Sequence, residues 1–228
     1  MLFNSFEYVL FLILVFLLFW GLVRMRALRV LLLLVASYVF YMSWNATFIV
    51  LIVASTAIDY CVGLALGRGG SPSQRKALLA SSVVTNIGLL GVFKYGDFFI
   101  DGTTQALAAL GVWVEPSHLG LVLPVGISFY TFQSMSYTID VYRRKLEPTT
   151  SFLEFATYVA FFPQLVAGPI VRAKEFLPQF RRSPSLTKER FGEALYLILR
   201  GMAKKVLIAD FLAANLLDRV FDNPAAYS

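Results

Sequence analysis

Charge, cysteine and histidine are what this chain has least of, and each scarcity removes a class of function. Charged residues are 15% of 228, where a soluble domain carries about a quarter, so the chain reads as an integral membrane protein. Its one cysteine, Cys61, excludes an internal disulfide and a cysteine-rich metal site, and the apolar neighbours predict a packed rather than a reactive thiol. Its one histidine, His118, cannot supply paired imidazoles. No Gly-x-Ser-x-Gly elbow, Walker loop or His-Glu-x-x-His motif is present, so no nucleophile constellation, bound cofactor or metal is expected. The N-terminus has neither the basic start nor the small-residue cleavage site of a signal peptide, and the run Tyr8 to Val23 reads as a retained first helix.

What is abundant is apolar: 58% of the residues are hydrophobic. The net charge of +6 falls in short basic clusters between apolar runs, which fits anionic lipid and argues against a nucleic-acid partner. The stretch Val30 to Leu66 is too long for one crossing of a core about 30 Å thick and should break at Ser43-Trp44-Asn45. Gly67 to Pro72 supplies a breaker-rich turn, and a fourth helix is predicted from about Ala77 to Phe93. Basic residues concentrate at Arg24 to Arg29 and Arg68 to Lys76 and are missing from the Ser43 turn. That alternation predicts those two clusters in the cytoplasm, with the N-terminus and the Ser43 turn outside. Residues Tyr95 to Gly120 read as an interfacial or re-entrant piece on the outside, and Leu121 to Val141 as an inward crossing.

Between the basic groups at Arg143-Arg144-Lys145 and at Arg172 onward lies only Phe152 to Val171. Two basic regions on one side predict a segment that enters and returns, broken at Phe162-Pro163 and Gly168-Pro169, because proline lacks a backbone donor and disfavours helix before it. Phe191 to Leu217, interrupted by Arg200, Lys204 and Lys205, reads as a short interfacial helix leading into a membrane segment near Val206. The fold class is thus all-α, a polytopic transmembrane protein with broken or re-entrant helices.

Polar groups at membrane depth persist only when buried in protein or lining a wet cavity. Phe129, Gln133, Ser136 and Asp140 share one helical face, and Ser128, Thr131, Met135 and Thr138 form a second stripe. The first face is either the wall of a substrate tunnel or interhelical glue at about 0.6 to 2 kcal/mol per contact. Asp59, one turn before Gly63, is either functional or half of an ion pair with Arg68 or Lys94. Asn86 reads as helix-packing glue, and His118 as a surface residue.

Three segments carry a resemblance: LPVGISFYTFQSMSYTIDVYR at Leu123 to Arg143, FFPQLVAGPIVRAKEFLPQ at Phe161 to Gln179, and KKVLIADFLA at Lys204 to Ala213. With FNSFEYVLFL at Phe3 to Leu12 and IDY at Ile58 to Tyr60, they resemble the membrane-bound O-acyltransferase family. The wording at Gln164 to Pro169 is most similar to its alginate O-acetyltransferase branch. The resemblance implies an O-acetyltransferase that passes acetyl groups from a thioester donor such as acetyl-CoA across a bacterial inner membrane. It further implies a polysaccharide acceptor and periplasmic acetyltransferase or export partners. Residues 1–228 would then form the N-terminal portion of one transmembrane domain, with the family's catalytic histidine beyond Ser228 and this segment alone inactive. No catalytic residue is carried onto His118; Phe129, Gln133, Ser136, Asp140 and Asp59 remain substrate-path candidates. The competing readings are a transporter-like polytopic protein, which also uses broken helices, and a noncatalytic scaffold.

Overall fold

The computed structural model describes residues 3–166 and 168–222, so Ala167 of the Gln164 to Pro169 motif and the Asn223 to Ser228 end lie outside the described residues. Helix α1 spans Phe6–Gly21 and α2 spans Arg26–Met42. The break at Ser43 to Asn45 forms as expected: Asn45 accepts a hydrogen bond from the Thr47 amide and opens a short 3-10 turn, Ala46–Phe48, that leads into α3, Ile49–Gly67. Ser71 and Gln74 form a reciprocal capping box with Pro72 in the first turn, which satisfies two otherwise orphaned donors. This starts α4, Pro72–Ala109.

Here the structure departs from the sequence reading. Helix α4 does not stop near Phe93; its 38 residues span about 57 Å, well beyond a hydrocarbon core of about 30 Å. The interfacial piece expected over Tyr95 to Gly120 is half a continuation of α4 and half an extended return. Asp97 accepts from the Leu119 amide and Asp101 meets His118 at 2.8 Å, so the charges that suggested the end of a span instead hold the returning strand of chain. The next helix, α5, begins at Ile127 rather than Leu121 and ends at Tyr142. Its first turn follows Gly126 at φ 75°, where a Cβ would lie 2.7 Å from the Leu165 carbonyl; only glycine meets both demands.

The short helices α6 (Phe152–Ala160), α7 (Phe162–Leu165) and α8 (Ala173–Arg181) follow. Nine residues of α6 rise about 13 Å, under half a bilayer core, and the chain breaks at Phe161, next to the expected Phe162-Pro163 position. Its residues Glu154 to Ala160 are all buried, among α2, α3, α5 and α8.

Two arginines close the helix ends. Buried Arg75 donates to the carbonyls of Leu66 at 2.6 Å and Tyr142 at 2.7 Å, in the last turns of α3 and α5, where carbonyls lack intrahelical partners and the dipole favours a cation. Arg29, 4% exposed, donates to Val23, Phe180 and Arg182 carbonyls. Glu154 receives Arg26 and, at 3.6 Å, Arg181, joining the start of α2, the start of α6 and the end of α8.

These contacts belong to residues 15–182, one compact unit; residues 3–14 and 183–222 belong to a second unit. In the latter, α9 (Lys188–Ala203), two π-helical stretches (Lys204–Asp210 and Ala213–Leu217) and α10 (Asp218–Asp222) run as uninterrupted helix from 188 to 222. No break separates an interfacial helix from a membrane segment near Val206. No strand occurs among the described residues. The helices Ala46–Gly67 and Pro72–Ala109 are long and apolar enough to cross a membrane, and large apolar side chains such as Phe98 and Val84, each 70% exposed, face outward.

Replacing Arg75 by Met should strip two helix ends of their donor and lower stability by about 2–4 kcal/mol. Lys76→Met at the exposed neighbour should stay within about 0.5 kcal/mol. Thermal unfolding in detergent separates the two, and equal shifts would refute the capping role.

Candidate functional site

The break that the sequence placed at Pro163 meets the glycine turn at Gly126, and their meeting builds the first polar cluster. In a continuous helix the Tyr158 carbonyl would accept from the amide of Phe162. That amide instead donates 3.1 Å to the Ser37 hydroxyl on α2, and Pro163 has no amide to offer the next carbonyl. Gln133 of α5 takes over, donating 2.6 Å to the freed Tyr158 carbonyl, with Gln164 a second donor at 3.5 Å. The Tyr158 hydroxyl in turn donates to the carbonyls of Val171 at 2.9 Å and Gln133 at 3.3 Å. Ser136 donates back to the Gln133 carbonyl and lies 3.5 Å from the Tyr158 hydroxyl. One turn on, Asp140 faces Arg172 at 3.6 Å, the carboxylate nearly buried and the guanidinium 64% exposed.

A second cluster lies between α3, α4 and α5. Asp59, with no exposed surface, accepts from the Ser82 hydroxyl at 2.5 Å, from the Asn86 amide at 3.1 and 2.9 Å, and from the Ser134 hydroxyl. Each carboxylate oxygen thereby receives two hydrogen bonds. Thr138 meets Ser82 at 3.1 Å. The ion pair with Arg68 or Lys94 does not form; no salt bridge to Asp59 occurs among the described residues. Neutral donors hold this carboxylate because Ser82 and Asn86, four apart on α4, present a ready row to it. The gap beside Gly63 is filled by the Tyr137 ring, 2.6 Å from where a Cβ would stand.

Of the face proposed as a substrate path, Gln133 and Asp140 are buried and Ser136 is half-buried, whereas Phe129 is 38% exposed. The structure joins Gln133 and Ser136 through Tyr158 and leaves Phe129 outside that group. In the second stripe Thr131, Met135 and Thr138 are buried and Ser128 is half-buried. Asn86 does bind helix to helix. His118 is exposed beside Asp101, as a surface residue. Cys61 is exposed on α3, not packed, because Asp59, Val62 and Gly63 take the buried side of that helix. Sequence reasoning missed Ser37 and Tyr158. Their signal was arithmetic: a proline at 163 orphans carbonyls near 158 and 159, and buried orphans require donors from elsewhere.

Residues 33–228 match the family model described as MBOAT, membrane-bound O-acyltransferase family. The chain is 42% identical over 197 residues to a probable alginate O-acetylase AlgI of Pseudomonas aeruginosa, covering 85% of this chain and 37% of that protein. It is 42% identical over 189 residues to the Azotobacter vinelandii protein of the same description, covering 81% and 37%. A peptidoglycan O-acetyltransferase of Helicobacter pylori is 33% identical over 225 residues, covering 86% and 41%. The chain thus spans little more than a third of the alginate relatives' length. No solved structure matches.

Gln133→Leu should leave the Tyr158 carbonyl short of a donor and Ser37→Ala should orphan the Phe162 amide, each costing about 1–3 kcal/mol. Both support one break, so the double variant should cost less than the sum. Strict additivity in thermal unfolding would show that the two bonds act independently.

Proposed function

The chain belongs to the membrane-bound O-acyltransferase family, and from that premise we propose that it forms the N-terminal part of one transmembrane domain that moves acetyl groups across a bacterial inner membrane for O-acetylation of alginate or a similar exopolysaccharide. The observation that carries this reading is the family match over residues 33–228 together with more than 40% identity to alginate O-acetylases. The donor in this reading is acetyl-CoA or another acyl thioester, and the outward partners are periplasmic acetyltransferase or export proteins. The broken α6–α7 pair supports a path through the bilayer, since irregular backbone is tolerated there only where protein or a wet cavity surrounds it.

In this proposal the face of α5 holding Gln133, Ser136 and Asp140 borders the acyl path, with Phe129 at its exposed end. Asp59 acts as a positioning residue: both its oxygens are engaged by Ser82, Asn86 and Ser134, so it fixes α5 against α3 and α4. The discontinuous helix also favours a second reading, a transporter without chemistry. Acetyl transfer by the purified full-length protein from a thioester donor would exclude it. The 228-residue segment alone carries one histidine, exposed and already beside Asp101, and is expected to give no turnover above a lipid-only blank.

Asp140→Asn discriminates path from packing. Its ion pair to a mostly exposed Arg172 contributes at most about 1 kcal/mol, so the variant should unfold at nearly the parent temperature while acetyl transfer in a full-length relative falls about ten-fold or more. Full transfer in a folded Asp140→Asn variant would overturn the path assignment. For orientation, Arg24→Cys and Trp44→Cys are compared in a Cys61→Ser background with an impermeant thiol reagent. The expected result is labelling from outside at Trp44→Cys and protection at Arg24→Cys; the reverse would invert the topology.

A further inference from the structure

A pocket of about 640 Å³ opens between the connection from α5 to α6 and one side of α8. Its loop wall, residues 145–150, is fixed at several points. Pro148 fills the space where Gly67 lacks a side chain, a Cβ there falling 2.2 Å from its Cγ. The Thr149 amide donates 3.1 Å to the buried Tyr137 hydroxyl, and the Tyr60 hydroxyl donates 2.7 Å to the Thr150 carbonyl. Ser151 then caps α6. The opposite wall is the α8 row Lys174, Leu177, Pro178 and Arg181, residues spaced to share a helical face. Such a pocket exists before any ligand arrives, which lowers the ordering cost of binding.

Its charge is specific. Lys145 comes from the loop wall and Lys174 from the helix wall, with Arg181 at one end and Glu147 the single lining carboxylate. Neither lysine has an ion-pair partner among the described residues. Arg181 retains donors beyond its 3.6 Å approach to Glu154. Two lysines without ion-pair partners, one from each wall, in a lining that also holds leucines and prolines, suit an anion with several oxygens attached to an apolar or ring-containing body. The volume falls in the range of small-molecule sites, about 300–1,000 Å³, and exceeds a bare ion's need.

We propose that this pocket binds a phosphate ester, gripped between Lys145 and Lys174 with Arg181 completing the cationic rim. Two sources share that chemistry: the headgroup of an anionic phospholipid and a soluble phosphorylated carrier such as coenzyme A. The inference rests on the acyltransferase reading only for the identity of the soluble candidate.

The test uses the purified protein in phosphatidylcholine nanodiscs. In one arm coenzyme A is titrated in solution; in the other, nanodiscs containing phosphatidylglycerol are delipidated and the retained lipid is measured. Lys145→Gln with Lys174→Gln is compared with the parent, with the Lys76→Gln, Lys94→Gln pair as a charge-matched control remote in sequence, and with Lys174→Arg as the charge-retaining variant. Unfolding temperature verifies that each variant is folded. Saturable coenzyme A binding weakened about ten-fold or more in the double variant, and kept in the other two, supports a soluble ester. Selective loss of retained phosphatidylglycerol in the double variant supports a lipid headgroup. Equal behaviour of parent and double variant toward both probes overturns the pocket assignment. Acetyl transfer is not the readout, so a failed pocket leaves the acyltransferase reading standing, and an inactive enzyme with intact binding has the converse meaning.

Discussion

The carbonyl of Tyr158 must find a donor, and much of the unit formed by residues 15–182 is arranged around that need. Buried inside α6 and cut off from the Phe162 amide, it would cost a few kcal/mol if left unpaired. Gln133 and Gln164 supply donors from two sides, and Ser37 receives the amide released by the break. Four elements, α2, α5, α6 and α7, are therefore tied at one point. The price of an irregular backbone is met by side chains whose positions are useless anywhere else.

The same accounting governs the helix ends. Basic residues in the turns read most simply as orientation signals, yet Arg29 and Arg75 are buried and spend their donors on terminal carbonyls. An arginine suits that role because its fork of donors reaches several carbonyls and it stays charged at all relevant pH. Lys76 and Arg24 beside them are exposed. A cluster of like charge thus contains two kinds of residue, one holding the fold and one facing the interface, and sequence spacing alone does not sort them.

What was legible in the sequence follows from locality. The Ser43 to Asn45 turn, the breaker-rich turn at Gly67 to Pro72 and the break at Pro163 each depend on residues within one helical turn, and each formed. The end of α4 was misread because Lys94, Asp97 and Asp101 resemble the charges that close a span; the partners of the two aspartates, the Leu119 amide and His118, lie about one loop away. The ion pair expected for Asp59 failed for a related reason. Burial demands that a carboxylate be satisfied, but does not say whether a cation or a set of neutral donors does so. The choice of Ser82, Asn86 and Ser134 is set by how three helices pack. Tyr158 gave no local signal, because what it lacks is created by a proline five residues away.

Helix α5 is where these constraints combine. Its stripe of Thr131, Ser134 and Thr138 faces inward, with Ser134 and Thr138 bound to the Asp59 cluster on α3 and α4, while Gln133, Ser136 and Asp140 look toward α6 and the Val171–Arg172 strand of chain. Both sides are polar and both are hydrogen-bonded to neighbouring elements, so α5 cannot rotate or slide by one residue without orphaning groups on two fronts, each orphan costing about 1–3 kcal/mol. A polar helix in an apolar protein is usually a liability. Here it is a fixed wall beside a broken helix, and the proposed acyl path would need such a wall, since a displacement near 1 Å is enough to lose productive alignment.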